Sequence, residues 1–97
     1  MMDLKIIEDL VNIIRDRKKN PTEKSYTYRL FSEGENKIVK KLGEEYVEFL
    51  RAYLKESDNR VVSEASDFLY HILVALEFRG VAFEDVLDEL RMRHRRE

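Results

Sequence analysis

The chain has 97 residues, 43% of them hydrophobic and 39% charged, with a net charge of −2, one proline, three glycines and no cysteine. This composition suits one domain with a modest core and excludes a disordered chain, a disulfide scaffold, a thiolate zinc site and a thiol nucleophile. The slightly acidic balance argues against general nucleic-acid binding, which needs a basic face, and so short a chain gains from oligomerisation.

At the N-terminus Asp3, Lys5, Glu8 and Asp9 interrupt the apolar residues, so this segment does not read as a signal peptide. Leu4, Ile7, Leu10, Val11 and Ile14 recur at helical spacing and predict a first helix over residues 3–19. Asn20-Pro21 stops it, because the residue before a proline avoids the helical region. A loop over 21–27 follows, then a short helical turn at 28–32 closed by Gly34. Ile38, Leu42, Phe49 and Tyr53 form an apolar stripe and predict a second long helix over 36–55, broken by Ser57-Asp58-Asn59.

A third helix is expected over 61–79, with Gly80 as its stop. Its second half, residues 68–76, is apolar on nearly every side, which calls for two neighbours or a second subunit. That run is far shorter than the ~20 apolar residues that cross a bilayer, so the chain reads as soluble and cytoplasmic, with no membrane partner. The last helix, over 83–95, carries Val86, Leu87 and Leu90 and ends in a basic run over 91–96. No stretch alternates as a strand does. The expected fold class is all-α, a bundle of about four helices forming a single domain over residues 1–97.

Carboxylates carry the chemistry. Glu45 and Glu48 are three residues apart on the second long helix, and Glu64 and Asp67 are three apart on the third, so each pair shares a face. Two such helices packed antiparallel would bring four carboxylates together. The plain alternative is a set of solvated surface acids. Against it, Glu45, Glu48 and Glu64 are followed four residues on by Phe49, Ala52 and Phe68, where a surface acid more often meets a base. Glu64 and Asp67 also lie on a stripe with Phe68, His71, Ala75 and Phe78 of the helix that looks buried.

Half-buried carboxylates repel one another unless a cation joins them. Mg²⁺ is hard, prefers oxygen and bridges carboxylates to phosphates. Lys37, Lys40 and Lys41 precede the acids, and Arg17, Lys18 and Lys19 end the first helix, which offers cations for a phosphate chain. His71 can touch Asp67 one turn back. A lone histidine in an apolar helix is most often simply buried and hydrogen-bonded, and it is not assigned as a ligand.

The pattern at 44–48 and 64–67, Glu-Glu-x-x-Glu then Glu-x-x-Asp, resembles the all-α nucleoside-triphosphate pyrophosphatase superfamily with the MazG-like fold. Further strings resemble one branch of it, the phosphoribosyl-ATP pyrophosphatases. These are Asp16-Arg17-Lys18, Pro21, Ser25-Tyr26-Thr27, Leu30, Gly34, Lys41-Leu42-Gly43-Glu44-Glu45, Glu64 to His71, and Leu90-Arg91-Met92-Arg93-His94. The likeness covers about residues 4–94, and with no cyclohydrolase domain before Met1 the stand-alone form is expected.

The resemblance implies Mg²⁺-dependent hydrolysis of phosphoribosyl-ATP between its α and β phosphates, giving phosphoribosyl-AMP and pyrophosphate, in histidine biosynthesis. It implies that Glu45, Glu48, Glu64 and Asp67 hold Mg²⁺. It makes Glu44 a further ligand or the group that orients or deprotonates the water. It makes Arg17, Lys18, Ser25, Tyr26, Lys37 and Lys41 contacts for substrate phosphate or ribose, and it implies a homodimer. Tyr46 departs from the pattern, which has a small residue there, and puts the shape of the pocket in question. Two other readings stay open: a house-cleaning pyrophosphatase acting on ordinary or damaged nucleoside triphosphates through the same metal site, and a non-catalytic helical module whose basic tail docks an acidic partner.

Overall fold

The computed structural model describes residues 2–95, and in them five helices and no strand: α1 Lys5–Lys19, α2 Tyr26–Glu33, α3 Glu35–Lys55, α4 Asp58–Arg79 and α5 Phe83–His94. The all-α expectation holds, with four long helices and one short one.

The two boundaries that differ most have the same cause. Ser25 and Ser57 are N-caps, each accepting a hydrogen bond at its side-chain oxygen, from the Tyr28 and Arg60 backbone N–H respectively. An N-cap side chain satisfies a backbone donor that the first turn leaves open. Ser25 therefore lengthens the expected turn at 28–32 into α2. Ser57 starts α4 at Asp58, inside the string expected to interrupt it.

Glycine ends two helices. Gly80 follows α4 in the left-handed region, at φ 81° and ψ 21°. Gly34 separates α2 from α3 at φ 93° and ψ −175°, a conformation that is essentially glycine's own. Only Glu56 and Ser57 separate α3 from α4, so these two helices form an antiparallel hairpin.

The core joins Ile14 of α1, Leu30 of α2, Ile38 of α3, and Leu73 and Val74 of α4. Phe31, Tyr70, Phe78 and Phe83 pack around it. α4 touches α1, α3 and α5, which explains its apolar second half, although Leu69 and Val62 still reach solvent. Arg15 of α1 ties the far end of the bundle by pairing with Glu77 of α4 at 3.5 Å and Glu84 of α5 at 2.5 Å. Arg91 and Arg93 of the basic run pair within their own helix with Asp88 and Glu89, while Arg96 lies outside the described residues. No helix among the described residues is long and apolar enough to cross a membrane.

Candidate active site

The α3–α4 hairpin sets the site. It brings Glu45 and Glu48 of α3 against Glu64 of α4, and one oxygen from each lies within 4.8 Å of the others. Glu45 and Glu64 are buried, at 7% and 4% exposure, while Glu48 is exposed. Asp67, one turn beyond Glu64, stands outside this tight group and is exposed, but its charge bears on Glu64. Glu44 is exposed and pairs with Lys41 at 3.4 Å.

The two buried acids share one arrangement. Lys41 lies 3.6 Å from Glu45 Oε1 and Arg60 lies 2.5 Å from Glu64 Oε1. The second oxygen of each, Oε2, is buried without any hydrogen-bond partner. A buried, unpaired carboxylate oxygen is costly and is normally satisfied by a proton, a water or a cation. Burial accordingly raises the Glu64 pKa above the ordinary carboxylate value; Arg60 opposes the rise, and Glu48 and Asp67 add to it. The donor set, three carboxylates with two unpaired oxygens, fits a hard divalent cation.

Lys41 and Arg60 each sit four residues before their glutamate, not after it. Arg60 was not singled out in the sequence, and the i−4 spacing was the signal for it. Lys41 also meets the α2 entrance, where Tyr26 bears on its charge. Burial pulls the Lys41 pKa down, but Tyr26, Glu44 and Glu45 together hold it above its ordinary value.

Tyr26, at the start of α2, is 40% exposed, and its hydroxyl lies 3.2 Å from His71 Nε2. Thr27 is buried and hydrogen-bonds Tyr70 through the two hydroxyls. Ser25 has its oxygen engaged as the α2 cap, and Lys37 is half-buried one turn before Lys41. Tyr26, Lys41, Glu44, Glu45, Glu48 and Glu64 thus form one neighbourhood.

Arg17 and Lys18 do not join it. Arg17 pairs with Asp16, and Lys18 Nζ donates to the Glu77 carbonyl at 2.7 Å. Glu77 lies ~20 Å along α4 from Glu64 at 1.5 Å per residue. Tyr46 is half exposed and rests on Phe68, ring centroids 5.7 Å apart, beside the carboxylates on the apolar side.

An open depression lined by Gly43, Glu44, Val47, Glu48 and Arg51 leads to the cluster. A larger groove of about 580 Å³ between α1, α4 and α5 is lined mostly by Leu4, Ile7, Val11, Leu69, Phe83 and Leu87. It contains none of the clustered acids, so chemistry and not size selects the site.

Residues 7–94 match the family described as Phosphoribosyl-ATP pyrophosphohydrolase. The chain is 45% identical to the phosphoribosyl-ATP pyrophosphatase of Pyrobaculum calidifontis, over 95% of this chain and 98% of that protein. It is 42% identical to the phosphoribosyl-ATP pyrophosphatase of Clostridium acetobutylicum, over 92% of this chain and 81% of that one. The histidine biosynthesis bifunctional protein HisIE of Pyrococcus furiosus is 45% identical over 95% of this chain, which spans 43% of that longer protein.

Proposed function

The chain belongs to the phosphoribosyl-ATP pyrophosphohydrolase family, and on that premise we propose that its Glu45–Glu48–Glu64 cluster hydrolyses phosphoribosyl-ATP to phosphoribosyl-AMP and pyrophosphate, the second step of histidine biosynthesis. The observation that carries this reading is the pair of buried, unpartnered oxygens, Glu45 Oε2 and Glu64 Oε2, beside Glu48. Glu45, Glu48 and Glu64 would hold Mg²⁺, with Asp67 drawn in from one turn away. The ion, when bound, polarises a phosphoryl oxygen and neutralises charge on the phosphates.

The residues of the chain supply the rest. Water attacks phosphorus; the new P–O bond forms as the bridging P–O bond between the α and β phosphates breaks, and pyrophosphate leaves with the electron pair. Glu44, exposed at the rim, would orient the water and take its proton. Lys41, already between Glu44 and Glu45, would offset charge on the leaving pyrophosphate. Ser25, Tyr26 and Lys37 are proposed contacts for the substrate's phosphate or ribose. Arg17 and Lys18 are proposed only for the end of the substrate farthest from the cut bond.

We further propose a single domain over residues 1–97, a cytoplasmic setting, and a homodimer. The dimer is supported by the apolar residues that α3 leaves in solvent, among them Tyr46, Val47, Leu50, Tyr53 and Leu54.

Pyrophosphate release from phosphoribosyl-ATP, with Mg²⁺ and with chelator, beside a panel of ordinary nucleoside triphosphates, tests the reaction. Release that needs Mg²⁺ and is confined to phosphoribosyl-ATP is expected. Equal rates on the ordinary triphosphates would replace it with the house-cleaning reading. No release from any substrate would leave the non-catalytic module.

A further inference from the structure

His71 lies buried in α4, at 6% exposure, with a partner at each ring nitrogen. Nδ1 is 2.7 Å from the Asp67 backbone carbonyl, one helical turn back. A carbonyl oxygen only accepts, so Nδ1 carries the proton. In a neutral imidazole the other nitrogen is then an acceptor. Nε2 is 3.2 Å from the Tyr26 hydroxyl, so that hydroxyl is the donor. A phenol has one proton, and Tyr26 spends it inward.

The ring of Tyr26 is held in this pose from several sides. Tyr70 stacks on it at 6.2 Å between centroids, His71 meets it edge-on at 6.0 Å, and the Arg29 guanidinium lies 5.9 Å over its face. Burial raises the Tyr26 pKa, which keeps the phenol protonated and the donation to His71 intact. Its proton committed to His71, the hydroxyl of this 40% exposed residue keeps only lone pairs to offer a ligand. Phosphate oxygens are acceptors too, and two acceptors do not bond.

We infer that His71 is a positioning residue that commits the Tyr26 proton inward, so that Tyr26 meets the substrate as a hydrogen-bond acceptor for a hydroxyl or amino group of its sugar or base, not for its phosphate chain. This rests on the reaction proposed above and narrows the role of Tyr26 from phosphate or ribose to donor-bearing groups alone. The two residues are 45 apart in the sequence, so the pairing is a product of the fold.

Nitrogen-15 NMR of the histidine rings in the intact protein at pH 8 reads the proton directly, with His71→Gln separating its signals from those of His94. A protonated Nδ1 and an unprotonated, hydrogen-bonded Nε2 are expected, and Tyr26→Phe should shift Nε2 toward its unbonded position. A proton on Nε2 would overturn the inference, because His71 would then donate and free the Tyr26 proton for phosphate.

Inhibition of the reaction by AMP and by inorganic pyrophosphate reads the consequence. Tyr26→Phe should weaken AMP by about three- to tenfold, the worth of one hydrogen bond, and leave pyrophosphate within about twofold. His71→Asn keeps a donor for the Asp67 carbonyl but is too short to reach Tyr26, and should weaken AMP alone in the same way. His71→Gln, whose amide oxygen reaches the place of Nε2, should restore it. Weaker pyrophosphate inhibition in Tyr26→Phe, or AMP inhibition unchanged, would overturn the inference. A wild-type protein inert toward phosphoribosyl-ATP would remove the proposed reaction, while the NMR result would still decide the direction of the Tyr26 proton.

Discussion

Two of the three clustered carboxylates are buried with one oxygen each unpaired, and Glu64 has its pKa raised by that burial. An acid whose pKa is higher folded than unfolded binds its proton more tightly in the folded state. Its contribution to stability is full below the ordinary value of 4.5 and is lost as pH rises through the raised value. The metal-free protein should therefore lose thermal stability across the window that opens at that value, and Glu64→Gln should flatten the loss; thermal midpoints in chelator from pH 4 to 8 check this. An unchanged slope in the variant would mean that Glu64 is not the strained group. Glu45, Glu48 and Glu64 were legible from spacing alone, because three-residue intervals place side chains on one face. The cations were less so: Lys41 was legible as a base preceding the acids, but its pairing with Glu45, and that of Arg60 with Glu64, each four residues before its partner, was not. The Tyr26–His71 bond was not legible, since nothing local links a residue at the entry to α2 with one in the middle of α4.

Helix ends govern how these residues meet. Gly34 joins the helix bearing Tyr26 to the helix bearing Lys41, and its φ of 93° with ψ of −175° is one that a side chain resists. Gly34→Ala should cost about 1–3 kcal/mol in urea unfolding. Gly43 makes the contrast: it lies within α3, and a Cβ there would meet nothing within 4 Å. Gly43→Ala should stabilise the fold by about 1 kcal/mol, the helix-propensity difference. A loss of stability there, or none at Gly34, would contradict this account of the two glycines. The long helices were readable because their apolar periodicity is strong. The starts of α2 and α4 were not, because Ser25 and Ser57 read as loop residues and their hydrogen bonds to the Tyr28 and Arg60 amides turn them into caps. Tyr26-Thr27-Tyr28 also carries little helix propensity of its own, so the cap and the buried Thr27 and Leu30 decide that turn.

At the scale of the molecule, the five helices of the described residues bury a core of only a few large side chains, and α3 still leaves Tyr46, Val47, Leu50, Tyr53 and Leu54 in solvent. A chain of this size gains stability by covering such a face. Sedimentation should give a dimer, and Leu54→Glu, at a residue 72% exposed in the single chain, should dissociate it. A monomeric wild type would contradict the dimer, and a variant that stays dimeric at low micromolar concentration would place the interface elsewhere.

The clustered carboxylates are the proposed seat of hydrolysis, and Glu48 tests that role most cleanly. Its side chain is exposed, so replacing it should change stability by no more than about 0.5 kcal/mol. Pyrophosphate release from phosphoribosyl-ATP by Glu48→Gln, in saturating Mg²⁺ and with the helical spectrum checked, should fall by at least about a hundredfold, since a Lewis-acid ion contributes several kcal/mol. A folded Glu48→Gln that releases pyrophosphate at the wild-type rate would contradict it.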